Sequence, residues 1–582
     1  MRTRSSRLRD FGVALRVGVA AALTAIALCS CSDSTPPAPA LVPPARGGAA
    51  WTELELQHFR FSTDAPEPRA RAMAGELEKY YSALEDTAFR GLESARGNIH
   101  VVAFDRENDF RAITGSAAGW FSTGERWNDP EPSTLIAFFG PVTESVRHMF
   151  LHEIAHHFIT RSMGGVPPFL AEGIAQYYST LRVEQGSVQI GAPLPLKSLA
   201  RGALQGMGER IGYSESDCPY RGGLGGASPC KPFVTVVLDY LPSIATLVNA
   251  NREAFLGFDR PDQRTLDAAV ENSLAAWSLA HMLHLGPAEY RAPYAAFVRD
   301  VAEGKGPREA WARAFHDVPA DRFERDFHAY LSTKSLTVAR YPYQPRPQST
   351  IESERVLSNA EVRLLWARLR MSESARFRAQ ADVTHSYYQE EARKQVEAIA
   401  QDLDDAVRSD PTSSEARFWR GLFRARAKEF AHAREDLQVA VTMKPDDSRY
   451  LLGLASALFE AEQTKSDEAG RRELDAAVQR LRPRASTAYE LDFIARYEKV
   501  YGAKEDALRT AQKALQTDRT CRRCSSIYAD LLYLHGQLKE AIDAKQRSID
   551  LAHDSEGTHW EEQTLACFRK GAAVGDCLRQ VH

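Results

Sequence analysis

His152-Glu153-Ile154-Ala155-His156, followed sixteen residues later by Glu172 in Pro168-Phe169-Leu170-Ala171-Glu172-Gly173-Ile174-Ala175-Gln176-Tyr177, decides the reading of this 582-residue chain. On a helix the i, i+4 spacing stacks His152 and His156 on one face, so that two neutral imidazole nitrogens can hold one Zn2+. Val146, Met149, Phe150, Ile154 and Phe158 give that helix an apolar face, while His148, His152 and His156 recur every four residues on another. Gly164-Gly165 and Pro167-Pro168 punctuate the helical text. A second, antiparallel helix after this break returns Glu172 to the histidine pair as a third ligand.

The chemistry supports each role. Two neutral histidines and one carboxylate leave a zinc ion with a net charge near +1. That suffices to polarise a scissile carbonyl and to bring bound water towards a pKa of about 7. Glu153, beside the first ligand, is placed to take that water's proton and pass it to a leaving amine. His148 and His157 lie close in sequence but are left out of the ligand set.

An HExxH string followed by (W/F)LxEGxAxY resembles the gluzincin metallopeptidases, and most closely their peptidase-MA-like domains. The likeness covers roughly residues 51–335, with Ala118-Gly119-Trp120-Phe121 and Ala275-Ala276-Trp277-Ser278-Leu279 as further similar strings. It implies a peptidase with one Zn2+ per chain, His152, His156 and Glu172 as ligands and Glu153 as general base. Three departures stand out. Phe169 replaces a common Trp, the interval from His156 to Glu172 is slightly short, and Gln176 stands where a carboxylate commonly orients a ligand histidine. The resemblance also implies an oxyanion-stabilising Tyr or His, for which Tyr177, Tyr178, Tyr213 and Tyr220 are all open. It further implies an edge strand that receives substrate, for which 133–139 (STLIAFF) is the candidate, with a plain core strand as the alternative.

Upstream of the motif, 57–63 (QHFRFST), 98–104 (NIHVVAF) and 133–139 read as strands and 66–92 as a helix, a small α/β layer. Residues 231–335 return to helical periodicity, and 341–350 (YPYQPRPQST) read as a Pro-rich linker. Beyond it Pro411, Pro445 and Pro483 mark a repeat of about 34 to 38 residues. Gly421, Ala433, Leu437, Ala440 and Pro445 resemble the tetratricopeptide pattern, with further units at Gly470-Leu474-Ala477, Ala507-Ala511-Ala514 and Ala529-Gly536-Ala541. Such arrays bind peptides or partner proteins on one face.

At the N-terminus, Arg2, Arg4, Arg7 and Arg9 precede a short apolar run, 17–28, that is too short to span a bilayer. Leu28-Cys29-Ser30-Cys31 looks like a bacterial lipobox, with Cys31 as the lipidated residue and Pro- and Ala-rich 32–50 as a tether. Removing residues 1–30, with five arginines and one aspartate, moves the net charge from −4 to −8, which gives no support to nucleic-acid binding. Besides Cys31, six cysteines remain in local pairs, Cys218 with Cys230, Cys521 with Cys524 and Cys567 with Cys577. In an exported protein this even count favours disulfides.

The resulting expectation is an α+β fold. Residues 1–31 form a lipoprotein signal, 32–50 a tether, 51–340 a gluzincin-like domain with a small mixed sheet and active-site helices, 341–355 a linker, and 356–582 an all-α repeat array. The function read from it is zinc-dependent hydrolysis of envelope peptides or proteins by a chain anchored through Cys31. The anchor membrane is the outer membrane, facing the periplasm or the cell surface. The repeats recruit substrate or a protein partner. The alternative is a weakly active or inactive, lipid-anchored interaction scaffold.

Overall fold

The computed structural model describes residues 42–582 apart from 91–98, 115–119, 124–133, 164–165, 193–241, 251–253, 256–262, 304, 333–335, 347–350, 382–385, 466, 520, 552–557, 574–576 and 578–582. The signal segment with Cys31, most of the tether, Cys218, Cys230, Tyr213 and Tyr220 lie outside the described residues. No helix among those described is long and apolar enough to cross a membrane.

A mixed six-stranded sheet organises the first half. Its strands are β1 (Thr52–Glu55), β2 (Arg60–Thr63), β3 (Ile99–Phe104), β4 (Trp120–Thr123), β5 (Thr134–Phe139) and, from far along the chain, β9 (Ser353–Val356), in the order β4-β5-β3-β2-β1-β9. Strands β2, β3 and β5 are parallel, whereas β1, β9 and β4 run antiparallel to their neighbours. One cross-strand row, Leu54, Phe61, Val101 and Ile136, follows from the pairing register and faces the main core. Two helices cover that face, α1 (Glu67–Ala88) and α3 (Glu144–Met163). Helix α1 buries Ala70, Met73, Ala74, Leu77, Tyr81 and Leu84 at helical spacing. Phe150, Ile154 and Phe158 of α3 are buried as their spacing predicts, with Phe150 edge-on to Phe59 and Phe158 beside Tyr81.

Helix α2 (Glu107–Thr114) lies beyond β3, and α4 (Pro168–Ser179) follows the Gly-Pro break. A second, three-stranded sheet joins β6 (Arg182–Glu184), β7 (Ser187–Ile190) and β8 (Ala339–Pro342). Helices α5 (Ile244–Asn249), α6 (Gln263–Leu285), α7 (Ala288–Ala302), α8 (Pro307–Ala314) and α9 (Ala320–Leu331) complete this half. The stretch expected as a linker, 341–355, begins in β8 and ends in β9, so both of its ends are hydrogen-bonded into sheets.

Paired helices make up the second half: α10 (Asn359–Ala381) with α11 (Ser386–Ser409), α12 (Ser414–Arg426) with α13 (Phe430–Met443), α14 (Ser448–Thr464) with α15 (Glu468–Leu481), α16 (Ala488–Tyr501) with α17 (Lys504–Thr517), and α18 (Arg522–Leu534) with α19 (Leu538–Asp550), before α20 (Thr558–Arg569). This is a tetratricopeptide-like stack in which the first helix of each hairpin lies beside the first helix of the next. Small residues set the spacing. A Cβ on Gly421 would come within 2.6 Å of Leu437, and Ala433, Ala440, Ala507, Ala511, Ala514, Ala529 and Ala541 are buried. Caps mark the starts: Ser413, Asp447 and Asp467 accept from first-turn amides, and Thr487 with Glu490 forms a capping box. Cys521 is disulfide-bonded to Cys524, and Cys567 to Cys577.

The stack is docked on the sheet. Trp51 packs edge-on to both Phe104 of β3 and Trp366 of α10, and Arg370 of α10 donates to the Ala112 carbonyl of α2 at 2.9 Å. Buried Asp402 of α11 accepts from Arg363 at 2.5 Å and from Arg370 at 3.1 Å, which stiffens the first hairpin where it meets the sheet.

Candidate metal centre

His152, Glu153 and His156 project from the part of α3 that is not spent on the core. Leu151, Ile154 and Ala155 are buried, while His152, Glu153 and His156 remain half-buried. Pro167 caps α4 with Pro168 in its first turn, a residue suited to a helix start because it has no amide to leave unpaired. That start orients α4 so that Glu172 faces α3. Gly173 then decides how close α4 comes to α6. A Cβ there would sit 2.5 Å from the Ala276 carbonyl oxygen, so only glycine lets the two helices meet at this point. The Glu-Gly-Ile-Ala string thus combines a donor with the contact that seats it, and Ala275-Ala276-Trp277 is the other side of that contact.

The structure brings the three expected ligand residues together. His152 Nε2 and His156 Nε2 are 3.1 Å apart, His152 Nε2 lies 3.4 Å from Glu172 Oε2, and His156 Nε2 lies 3.5 Å from Glu172 Oε1. Among the described residues this is the group of histidine, cysteine and acidic side chains whose donors converge closely enough for one ion. Two donors each about 2.1 Å from a tetrahedral ion stand about 3.4 Å apart, close to each of these separations, of which the two to Glu172 end on different carboxylate oxygens. The donor set, two imidazoles and a carboxylate, is equally suited to it.

Electrostatics tie the three residues together without an ion. Burial opposes the charge on His152, but the hydrogen bond it donates to Glu172 and the negative charges of Glu153 and Glu172 hold its pKa above the ordinary value. Burial likewise opposes the Glu172 carboxylate, which the facing His156 and His152 hold well below the usual range.

Neighbouring residues go elsewhere. Buried His157 bonds through Nδ1 to Thr134 Oγ1 of β5 at 2.9 Å, fastening α3 to the sheet. Buried His148 lies 3.4 Å from Ser179 Oγ, and burial lowers its pKa to about 4, so it is neutral. Gln176 is half-buried one turn beyond Glu172, its backbone carbonyl accepting from Ser179 Oγ. Tyr177 is buried with its ring stacked on His284 at 4.4 Å, and burial raises its hydroxyl pKa, as it does that of Tyr178.

One expectation is corrected. Strand β5 is interior, because β4 pairs antiparallel on its outer side, Trp120 opposite Ala137 and Thr123 opposite Thr134. The core-strand alternative holds for 134–139, and β4 is the outermost strand on that side among the described residues. Two short strands and their pairing carry too little local pattern for sequence to order them.

No family model matches the chain, and no curated protein does. Among solved structures it is similar to TTC0263, a thermophilic TPR protein of Thermus thermophilus, at 16% identity and a TM-score of 0.27, over 31% of this chain and 94% of the other. It is also similar to human IFIT1, as a dimer with PPP-AAAA, at 13% identity and a TM-score of 0.27, over 60% of this chain and 74% of the other. Likenesses this distant say nothing about activity.

Proposed function

We propose that the chain is a zinc-dependent peptidase of the gluzincin type, acting on peptides or proteins of the cell envelope. The observation that supports this reading is the convergence of His152 Nε2, His156 Nε2 and the two carboxylate oxygens of Glu172, at separations of 3.1 to 3.5 Å, with Glu153 next to His152 in the chain. Zinc, when bound, supplies a Lewis acid and an acidified water. Glu153 accepts the proton of the attacking water and delivers it to the departing amine. Glu172 and the two imidazoles would hold the ion, Gly173 seats α4 against α6, and His157 fastens the helix that bears both imidazoles. The outer edge of β4 offers backbone groups to an extended substrate. With Cys31 lipidated, the reaction takes place at the membrane surface, and the repeat stack recruits a substrate or partner. Gln176 favours a second reading, a scaffold of low activity, because an amide lacks the charge by which a carboxylate raises imidazole basicity.

The purified chain is expected to hold one zinc per molecule, to lose it on His152→Ala, and to keep it on Glu153→Gln. A peptide-library digest separates the readings. Cleavage products present with the parent chain and lost with Glu153→Gln support the peptidase. Identical digests from the two overturn it in favour of the scaffold, and unchanged zinc content in His152→Ala overturns the site itself.

A further inference from the structure

We propose that Cys521–Cys524 is a transferable disulfide, a thiol–disulfide exchange site that oxidises paired cysteine thiols of a peptide or protein substrate. The site lies in the repeat half of the chain, and it holds whether or not the chain binds zinc.

The two described disulfides differ in what they join. Cys567 lies in the last turn of α20, and its bond reaches ten residues on to Cys577, which is buried with Phe568 and with Tyr533 of α18 in the last cluster of the stack. That bond ties a helix to the segment after it. Cys521 and Cys524 stand three residues apart at the start of α18, where the helix already fixes them, the Ser525 amide donating to the Cys521 carbonyl at 3.1 Å. Their bond joins no second element. It also closes the shorter loop, so it restricts the unfolded chain less than Cys567–Cys577 does. The two residues between the cysteines are held independently of it: Arg522 Nη2 lies 3.1 Å from Glu561 Oε2 of α20, and Arg523 Nη1 donates to the Tyr489 hydroxyl of α16 at 2.8 Å. The turn therefore keeps its form when the bond opens.

Position supplies the chemistry. Cys521 is the N-cap of α18, and its Sγ accepts from the Cys524 amide at 3.1 Å. A helix start gathers amides without helical partners and the positive end of the dipole, and both favour a thiolate on Cys521 once the bond opens. Cys567 stands at the opposite end of its helix, where the dipole disfavours a thiolate. Access differs within the Cys521–Cys524 pair as well. Cys521 is half-buried, whereas Cys524 is 0% exposed, with its Sγ 3.5 Å from the Ala488 carbonyl oxygen of α16. An incoming thiolate thus meets Cys521, and Cys524 is the sulfur that leaves. Ala485 and Leu515 pack beside Cys521 and offer an apolar surface to the side chains that flank a substrate cysteine.

The exchange balances without a further reactant. A substrate thiolate attacks Cys521 Sγ, the Cys521–Cys524 bond breaks, and its electron pair leaves on Cys524 Sγ, which takes a proton and donates it to the Ala488 carbonyl. A mixed disulfide now joins the substrate to Cys521. The second substrate thiol, its proton released to solvent, attacks the substrate sulfur of that bond, and Cys521 leaves as a thiolate facing the Cys524 amide. Two substrate thiols are oxidised to a disulfide, and two electrons reduce Cys521–Cys524.

Two measurements test this on the full chain carrying Glu153→Gln, which leaves peptide probes uncleaved. In the first, the chain is equilibrated in glutathione buffers of stepped reduced-to-oxidised ratio, quenched and alkylated, and each disulfide is mapped by mass. Cys521–Cys524 is expected to open under conditions at least about tenfold more oxidising than those that open Cys567–Cys577. Opening at the same ratio, or in the reverse order, overturns the proposal. In the second, the oxidised chain is mixed with a reduced fluorescent peptide that carries two cysteines. Peptide disulfide should form one for one with the Cys521 and Cys524 thiols, about a hundredfold faster than with Cys521→Ser. Serine is itself a favoured N-cap, so that variant keeps the start of α18. Cys524→Ser, offered the oxidised peptide, should hold it as a mixed disulfide on Cys521, and Cys524→Ala takes its place if the serine variant does not fold. Peptide oxidation at the same rate in Cys521→Ser, or no mixed disulfide on Cys521, overturns the proposal and leaves the bond a local staple.

Discussion

Two helical hairpins of this molecule, α3–α4 and α12–α13, are each built around a glycine, and they use it differently. Gly173 of the first admits a neighbouring backbone, the Ala276 carbonyl of α6; Gly421 of the second admits the side chain of Leu437 within its own hairpin. The first hairpin turns His152, His156 and Glu172 to its inside, while the second fills the same kind of space with Ala433, Leu437 and Ala440. A backbone contact seats the donor-bearing helix, and a side-chain contact suffices to stack repeats. The difference teaches where precision is invested in this fold.

The comparison can be broken or sharpened by measurement. The largest effect expected is on turnover: Glu153→Gln should slow peptide hydrolysis by about a thousandfold with the zinc retained, read from initial rates and metal content, since that is the usual scale of a positioned base. A residual rate within tenfold of the parent would take the chemistry away from α3. Next, Gly173→Ala should cost about 2 to 3 kcal/mol and lower zinc occupancy, because the Ala276 carbonyl cannot move aside, whereas Gly421→Ala, which meets buried Leu437 at 2.6 Å and the Ala433 carbonyl only at 3.2 Å, should cost about 1 to 2 kcal/mol with zinc occupancy unchanged. Equal losses in chemical denaturation would erase the distinction between the two hairpins.

A smaller effect concerns pH. Asp64, just after β2, accepts from the Asp105 amide at 2.6 Å; burial, helped by the nearby charge of Asp109 and opposed by a hydrogen bond from its own backbone amide and by Arg106 and Arg69, pushes its pKa up to about 6. The folded chain therefore keeps a proton there that the unfolded chain has already released. Stability from this group is present below about pH 4 and is lost as pH rises towards 6. Asp64→Asn should then be more stable than the parent by about 1 to 2 kcal/mol at pH 7, with no gain at pH 4, as read from paired melting curves. The smallest effect is in the array, where Thr487→Ala removes one cap and should cost about 1 kcal/mol without touching zinc content.

How much of this was legible in sequence depends on how local the signal is. HExxH and the Glu-Gly-Ile-Ala string each span one or two helical turns, and their residues meet as the spacing predicts. The repeat phase was legible at Pro411, Pro445 and Pro483 because each unit restates the same small residues. The α10–α11 hairpin falls within the span 356–582 read as the array, but its long helices lack that restated pattern. Strand order was illegible too: β9 pairs with β1 from the far side of the whole first half, and nothing in Ser353–Val356 announces its partner. The interior place of β5 follows from β4, whose pairing is set across the chain.

Strand β9 has one more consequence. By returning to the first sheet just before the stack begins, it closes the polypeptide into a loop whose two ends are laced to each other, with Leu357 donating to the Trp51 carbonyl at 2.8 Å. The stack is therefore a fixed arm rather than a tethered one. A fixed arm acts as a ruler: the candidate metal centre and each hairpin of the stack keep one set separation.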